Sequence, residues 1–440
     1  MTDTLLADPL PPEAAARSGE ILGEPVVYAA HRPARLAGPA PEPLAAHLAR
    51  FGPLPPVGPR PHDRDRLLDV LHAVHLAGRG GAHFGVAAKW RAAIAAGGGG
   101  TVVANGAEGE PASAKDVALL THRPHLVLDG LACTAGAVGS RHAVVWLHDG
   151  ARQTRRALER AIAERHAARV PGPDVRIATG PAAYLSGESS AVIRALSGGP
   201  ALPLFHREPG TTRGIHGLPT LVHNVETLAR VGLAARRGAG YRDTTLVTVV
   251  DAARRVVLEV DPATTVAAAV ARARGSVGAP QAVLLGGYGG SWLPWGAAAA
   301  LPLEHRALRA AGAGLGAGVV APLPAGACGL AVTADVVDYL ARSGARQCGP
   351  CLFGLPAVAA LLRDLARGDG GRGQLRRLRH HLGEVEGRGA CHHPDGVAQL
   401  VRTALTTFEA DVAEHVRRGR CRHRGAAAPF PIPGPAAGPW

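Results

Sequence analysis

Between residues 101 and 180 three short apolar segments, TVVAN (101–105), HAVVWLHDG (142–150) and DVRIATG (174–180), alternate with Ala- and Arg-rich stretches of helical period such as TRRALERAIAERHAAR (154–169). Apolar runs of this length read as buried strands, and strands separated by helices pair in parallel. The alternation therefore predicts an α/β domain with a parallel, Rossmann-like sheet. Ligands of such sheets gather at the carboxyl ends of the strands.

Four polar, glycine-bearing turns belong to this region. Gly78-Arg79-Gly80-Gly81 follows a helical pattern, and its glycines let backbone amides approach a phosphate; a plain turn is the competing reading. Asn105-Gly106-Ala107-Glu108-Gly109-Glu110-Pro111 comes straight after a strand, so Glu108 and Glu110 sit where ribityl or ribose hydroxyls bind, or else in a solvated loop. Tyr184-Leu185-Ser186-Gly187-Glu188-Ser189-Ser190 leads into a helix, as does the segment around His223-Asn224-Val225-Glu226-Thr227. Helix capping alone accounts for Asn224 and Thr227, yet four such turns in one domain point to a ligand. Only two of the 48 basic residues are lysines, Lys89 and Lys115, and both fall beside these turns. A compact ammonium on a slim stem suits a phosphate or flavin edge that a planar guanidinium does not fit.

With 440 residues and 47% apolar content the chain holds several cores. No window reaches the roughly 18 apolar residues of a membrane span, and the acidic, proline-broken start MTDTLLADPLPPE is unlike a secretory signal. The net charge of +13 is spread along the chain with only 4% aromatic content, which argues against nucleic acid and for an acidic redox partner. The densest basic runs are 372–379 and 417–424.

Residues 244–305 change character. TTLVTVVD, RVVLEVD and AVLLGGYGG read as strands around one helix, TTVAAAVARARG, which fits a β-grasp-like module. From about Ala334 only helical patterns follow, four of them, and they carry Cys348, Cys351, Cys391 and Cys421. Cys133 and Cys328 read as packing residues. Cys348-Gly-Pro-Cys351 places two thiolates at the start of a helix with Cys391 arriving from a later loop, a pattern for a soft metal centre. Zinc and a redox pair are the alternatives.

Taken in order, these motifs resemble the family of flavoprotein subunits (51 kDa, F-type) of NADH-quinone oxidoreductase, over roughly residues 65–415, with this chain as a divergent member. The resemblance implies an α/β Rossmann-like FMN-binding domain (63–243) after an extended, Pro-rich segment (1–62). It further implies a β-grasp (SLBB-like) module (244–305), a connector (306–333), a C-terminal four-helix iron-sulfur bundle (334–421) and a disordered tail (422–440).

Carried over residue by residue, FMN contacts fall on Gly78, Arg79, Gly80, Gly81, Lys89, Asn105, Glu108, Glu110, Tyr184, Gly187, Glu188, Asn224 and Thr227, with Glu108 and Glu188 in catalytic positions. Phe84 remains as a stacking aromatic for NAD(H), while Ala92 and Pro209 stand where the family has phenylalanines. At about 1 kcal/mol per stacking contact, losing two weakens nicotinamide binding roughly tenfold or more. Ala107, Ser189 and His223 also depart from the family pattern. Ala345 replaces the first cluster cysteine, so a [4Fe-4S] cluster would rest on Cys348, Cys351 and Cys391. Cys421, Gln347 or His392 is then the candidate fourth ligand, and a three-iron cluster is the alternative. The implied role is electron transfer from NAD(P)H or a redox partner through FMN to the cluster. The implied setting is the cytoplasm, beside other redox subunits or a ferredoxin-like acidic carrier, with no nucleic acid and no membrane span of its own. The competing reading is a degenerate, non-catalytic scaffold or assembly subunit.

Overall fold

The computed structural model describes residues 19–21, 24–29, 35–38, 40–58, 60–81, 83–205, 208–251, 254–274, 278–369, 371–421, 423 and 429–433. Eleven strands among these residues form two sheets. In chain order they are β1 (Gly19–Ile21), β2 (Glu24–Ala29), β3 (Thr101–Asn105), β4 (His142–His148), β5 (Asp174–Gly180), β6 (Thr220–Asn224), β7 (Thr245–Asp251), β8 (Arg254–Val260), β9 (Ala282–Leu285), β10 (Ser291–Pro294) and β11 (Val319–Leu323).

The smaller sheet has the order β5-β4-β3-β6 with every pair parallel. Its chain order reverses between β3 and β6, because β4 and β5 are added on one side of β3 and β6 on the other. That reversal is a topological switch point, where the loops leave the sheet in opposite directions and open a crevice. In register, Asn105 is paired with Asn224 there, so the two strand ends that carry the asparagines lie side by side. Valines and leucines fill the strands, and the Pro124–Val138 and Val225–Arg237 helices pack on them as one core. These two helices cross backbone to backbone at Gly130, where a Cβ would lie 1.7 Å from the Leu228 carbonyl oxygen.

The larger sheet has the order β1-β2-β8-β7-β11-β9-β10. The β7–β8 hairpin, the Val266–Arg274 helix and β9 match the expected β-grasp character. Two features correct the sequence reading. β11 lies between β7 and β9, so the stretch read as connector (306–333) supplies an inner strand of this sheet. Pro322 within VVAPL hides it, since proline is uncommon inside a ladder. β2, from the segment read only as an extended entry, pairs in parallel with β8.

The C-terminal helices are Gly329–Arg342, Leu355–Arg367, Gly371–Val385, His393–Thr407 and Glu409–Arg418. The fourth periodic segment of the sequence bends at Phe408 into two of these helices. Phe408 is buried against Trp292 and over Gly329, where any side chain would strike its ring. The tail reading is corrected for residues 429–433: Phe430 is buried beside Trp292, and Tyr288 Oη donates to the Pro431 carbonyl at 2.9 Å.

Candidate flavin and iron-sulfur site

The switch-point crevice opens into a cavity of about 1040 Å3. Lining it are Gly78, Gly80, Gly81, Phe84 and Lys89 from the first turn, and Asn105 from the second. Tyr184, Gly187 and Glu188 follow from the third, Asn224 and Thr227 from the fourth, and Cys391 from the helical end. One chamber therefore gathers residues from all four turns and one cluster cysteine.

Local chemistry fixes each turn. Arg79 N donates to Thr227 Oγ1 at 2.9 Å, which ties the Gly78–Gly81 turn to the start of the Val225–Arg237 helix. Asn224 caps that helix by accepting from Glu226 N at 3.0 Å, while its Nδ2 donates to Asp116 Oδ2 at 2.6 Å. Asn105 Nδ2 donates to the Gly187 carbonyl at 2.6 Å, joining the second and third turns. Gly187 is required there, because a Cβ would sit 2.6 Å from the Ala107 carbonyl oxygen. Glu188 caps the Ser189–Leu196 helix, accepting from Ser190 N at 2.8 Å and Ala191 N at 3.1 Å.

Lys89 is, with Arg213, a cation of the chamber lining. Its Nζ donates to the Val222 carbonyl at 2.5 Å, and burial pushes its pKa down to about 8. His223 beside it accepts from Trp90 Nε1 at 3.0 Å and is held neutral, first by burial and then by the Lys89 charge. A cation facing a cavity without a carboxylate among its described contacts fits an anionic ligand such as a phosphate or a flavin edge. Lys115 is different: it is buried against Asp116 Oδ1 (2.7 Å) and Glu226 Oε2 (3.0 Å), a structural ion pair outside the cavity lining.

Three residues expected at the flavin turn away from the chamber. Arg79 extends its guanidinium to Asp243 Oδ2 (3.2 Å) within a network that includes Arg230. Glu108 caps the Lys115–His122 helix, accepting from Asp116 N and Val117 N at 3.2 Å and from Ser113 Oγ. Glu110 accepts from Tyr288 N at 2.8 Å, Ala112 N at 3.2 Å and Tyr184 Oη at 3.4 Å. Burial raises both carboxyls to about 7. Their strand-end position is as the sequence implies; their direction is not, because each finds unpaired backbone N–H groups nearer than the cavity.

Phe205 is the residue the sequence reading missed. It lines the same cavity as Phe84, and the two residues are 72% and 61% exposed, so both offer apolar surface for stacking. Pro209 also lines the cavity, whereas Ala92 does not.

Cys348, Cys351 and Cys391 lie close enough to interact electrostatically, and Cys391 also feels Glu188. Cys351 sits on a single π-turn, Pro350–Gly354, before the Leu355–Arg367 helix, and Arg346 N donates to its sulfur at 3.4 Å. The backbone of Ala345 does the same. Three thiols converging beside backbone donors fit three corners of a cubane cluster. Each of the fourth-ligand candidates has other partners. Cys421 is buried against Cys328 and His415, Gln347 is engaged with Arg194 (2.9 Å) and the Pro203 carbonyl (2.6 Å), and exposed His392 pairs with Asp395 (3.1 Å). Tyr184 bridges the two halves, its ring tilted on His393 at 5.5 Å and edge-on to Tyr339 at 6.1 Å.

Comparison with known proteins agrees with this arrangement. The family described as the Nuo51 FMN-binding domain matches residues 71–233, and the NADH-ubiquinone oxidoreductase-F iron-sulfur binding region matches residues 331–415. A second F-type subunit of the NADH-quinone oxidoreductase of Rhizobium meliloti (strain 1021) is 28% identical over 380 residues, covering 81% of this chain and 90% of its own length. The F-type subunit of the Streptomyces coelicolor enzyme is 26% identical over 390 residues, with 81% and 84% covered. Among solved structures, NAD+-reducing [NiFe]-hydrogenase in the H2-reduced state superimposes with a TM-score of 0.73 at 27% identity, covering 86% of this chain and 67% of that one.

Proposed function

The chain is a divergent member of the family of 51 kDa (F-type) flavoprotein subunits of NADH-quinone oxidoreductase, and we propose that it passes electrons from NADH through FMN to an iron-sulfur cluster as one component of a larger redox assembly. The observation that carries this is the shared lining: Lys89, Asn105, Asn224 and Cys391 face one chamber. When bound, FMN supplies the exchange between two-electron hydride chemistry and one-electron transfer.

The residues of this chain do the positioning. Gly78, Gly80 and Gly81 leave room for backbone amides against a phosphate, Lys89 offers the charge, and Asn105, Asn224 and Thr227 hold the turns at fixed separation. Phe84 and Phe205 line the chamber with much of their surface exposed, where a nicotinamide or adenine ring would stack. Glu188 places a carboxyl group in the chamber within electrostatic reach of Cys391. Cys348, Cys351 and Cys391 would hold the cluster, and Cys391 also lines the chamber.

For the acceptor, we favour an acidic redox subunit or ferredoxin-like carrier. The Gly371–Val385 helix packs against the turn that carries Cys351 and exposes Arg372, Arg376, Arg377 and Arg379, a positive surface next to the cluster. No helix among the described residues is long and apolar enough to cross a membrane. A cytoplasmic setting suits cluster-binding cysteines, which must stay reduced.

The test is the visible spectrum of anaerobically purified protein before and after NADH. Flavin bands that bleach support the proposal. A protein that stays colourless after reconstitution with FMN, iron and sulfide refutes it and leaves the scaffold role.

A further inference from the structure

A second cluster of metal-binding side chains lies in the helical region, apart from the cavity. Cys328, His415 and Cys421 are buried, and their ligand atoms all lie within 4.8 Å of one another. They come from three places in the chain. Cys328 is the N-cap of the Gly329–Arg342 helix, His415 lies on the Glu409–Arg418 helix, and Cys421 follows the left-handed Gly419 that ends it. Asp411, buried one turn before His415, shares its helix face. Its carboxylate lies 3.6 Å from His423 Nε2.

These groups are poorly satisfied by the protein alone. Cys328 Sγ accepts from Ala331 N at 3.4 Å and makes a weak thiol–imidazole contact with His415 Nε2 at 3.5 Å, and His415 Nδ1 is buried with no hydrogen-bond partner in the structure. Cys421 Sγ reaches the His423 carbonyl at 3.5 Å and also meets the Cys328 thiol. Around them are Leu330, Phe408, Val412 and Phe430, an apolar setting in which a carboxylate and an imidazole need compensation. A tetrahedral zinc ion with bonds of about 2.3 Å to sulfur and about 2.0 Å to nitrogen sets a sulfur–nitrogen edge of about 3.5 Å. The observed Cys328–His415 separation has that length without adjustment.

We propose that Cys328, His415 and Cys421 form a structural zinc site. Two thiolates and an imidazole supply three ligands, and Asp411, one turn before His415 and paired with His423, is the carboxylate on hand for the fourth. Zinc is favoured over a hard cation because two of the four donors are sulfur. The ion fastens the end of the last helix and the chain beyond it to the start of the Gly329–Arg342 helix. It thereby holds the bundle that carries Cys348, Cys351 and Cys391, without touching the electron path. This explains why Cys421 is absent from the cluster: it is committed elsewhere.

The test is metal analysis of the untagged full chain purified without chelator. One zinc per chain, in addition to the iron, is expected in the wild type. Cys421→Ser should lose the zinc while keeping flavin and iron, and Asp411→Asn should bind it more weakly. Replacing zinc by Co2+ in the wild type should give the visible bands of a tetrahedral thiolate site, a reading that does not depend on any variant folding. The proposal is overturned by a wild type with no zinc and no Co2+ thiolate bands, or by zinc that survives Cys421→Ser and disappears only in Cys391→Ser. A Cys328–Cys421 disulfide found by counting thiols in denatured, unreduced protein overturns it too. Flavin bleaching by NADH is a separate reading, so this inference and the electron-transfer function can fail independently.

Discussion

Replacing Lys89 by methionine separates a ligand-binding lysine from a structural one, because the two roles predict opposite signs. In the folded apoprotein burial lowers the Lys89 pKa to about 8, whereas in the unfolded chain it returns to about 10.4. The folded state thus binds fewer protons between those values, and apoprotein stability rises with pH across roughly 8 to 10.4. At pH 7 the charged ammonium is a net cost to the fold. That gap corresponds to about 3 kcal/mol, which solvent in the open cavity reduces to about 1–2 kcal/mol. Methionine removes that cost and loses the hydrogen bond to the Val222 carbonyl, worth about 1 kcal/mol. Apoprotein stability at pH 7 should therefore stay level or rise by up to about 1 kcal/mol. FMN, losing a charge-assisted contact of about 2 kcal/mol, should bind about thirtyfold more weakly. Urea unfolding of the apoprotein and fluorescence titration with FMN measure the two terms. Unchanged FMN affinity refutes the assignment, and so does a variant whose apoprotein stability falls by 2 kcal/mol or more.

Other perturbations follow from the same contacts. Phe205→Ala should raise the NADH KM about fivefold, the loss of one stacking contact of about 1 kcal/mol, with flavin content unchanged; steady-state kinetics at fixed flavin loading checks this. Gly130→Ala should destabilise the chain by about 3 kcal/mol despite alanine's better helix propensity, because the new methyl collides with the Leu228 carbonyl; the urea midpoint reports it. Asp129 is pushed up by burial but held at about 2 by His47 (2.7 Å), Arg165 (2.8 Å) and Arg236 (2.7 Å). Its folded pKa lies below the unfolded value of about 3.9, so it contributes about 2.5 kcal/mol above pH 4, lost as pH falls through 2. Asp129→Asn should cost about 3–5 kcal/mol at pH 6, and the gap to wild type should narrow as the pH drops toward 2.

The alternating strands and the four turns were legible because each is local: a buried run, a glycine where backbones meet, a cap before a helix. Direction was not. Glu108 and Glu110 stand at the strand end that their motif implies, yet nothing in the motif tells that Ser113 and the amides of 112, 116, 117 and 288 lie nearer than the cavity. Phe205 escaped because a stacking aromatic on an irregular loop follows no period and occupies a position the family motifs do not mark. β11 escaped because Pro322 breaks the appearance of a strand. Cys421 was assigned by sequence distance from the other late cysteines, and only the fold shows that the last helix carries it to Cys328 instead.

The missing fourth thiolate has an electrostatic consequence that one substitution can test. Ala345 has no donor in its side chain, but its backbone points toward the Cys351 sulfur along with that of Arg346, so position 345 borders the cysteine site. A cluster held by three thiolates carries one negative charge fewer than one held by four, and a less negative cluster is easier to reduce. The natural chain should therefore hold its cluster at a higher potential than an all-cysteine site, which draws electrons from the flavin toward the arginine face. Ala345→Cys should lower the midpoint potential and sharpen the reduced EPR signal while leaving FMN content unchanged. If redox titration shows the same potential in both proteins, position 345 does not reach the cluster and the fourth corner is filled from elsewhere.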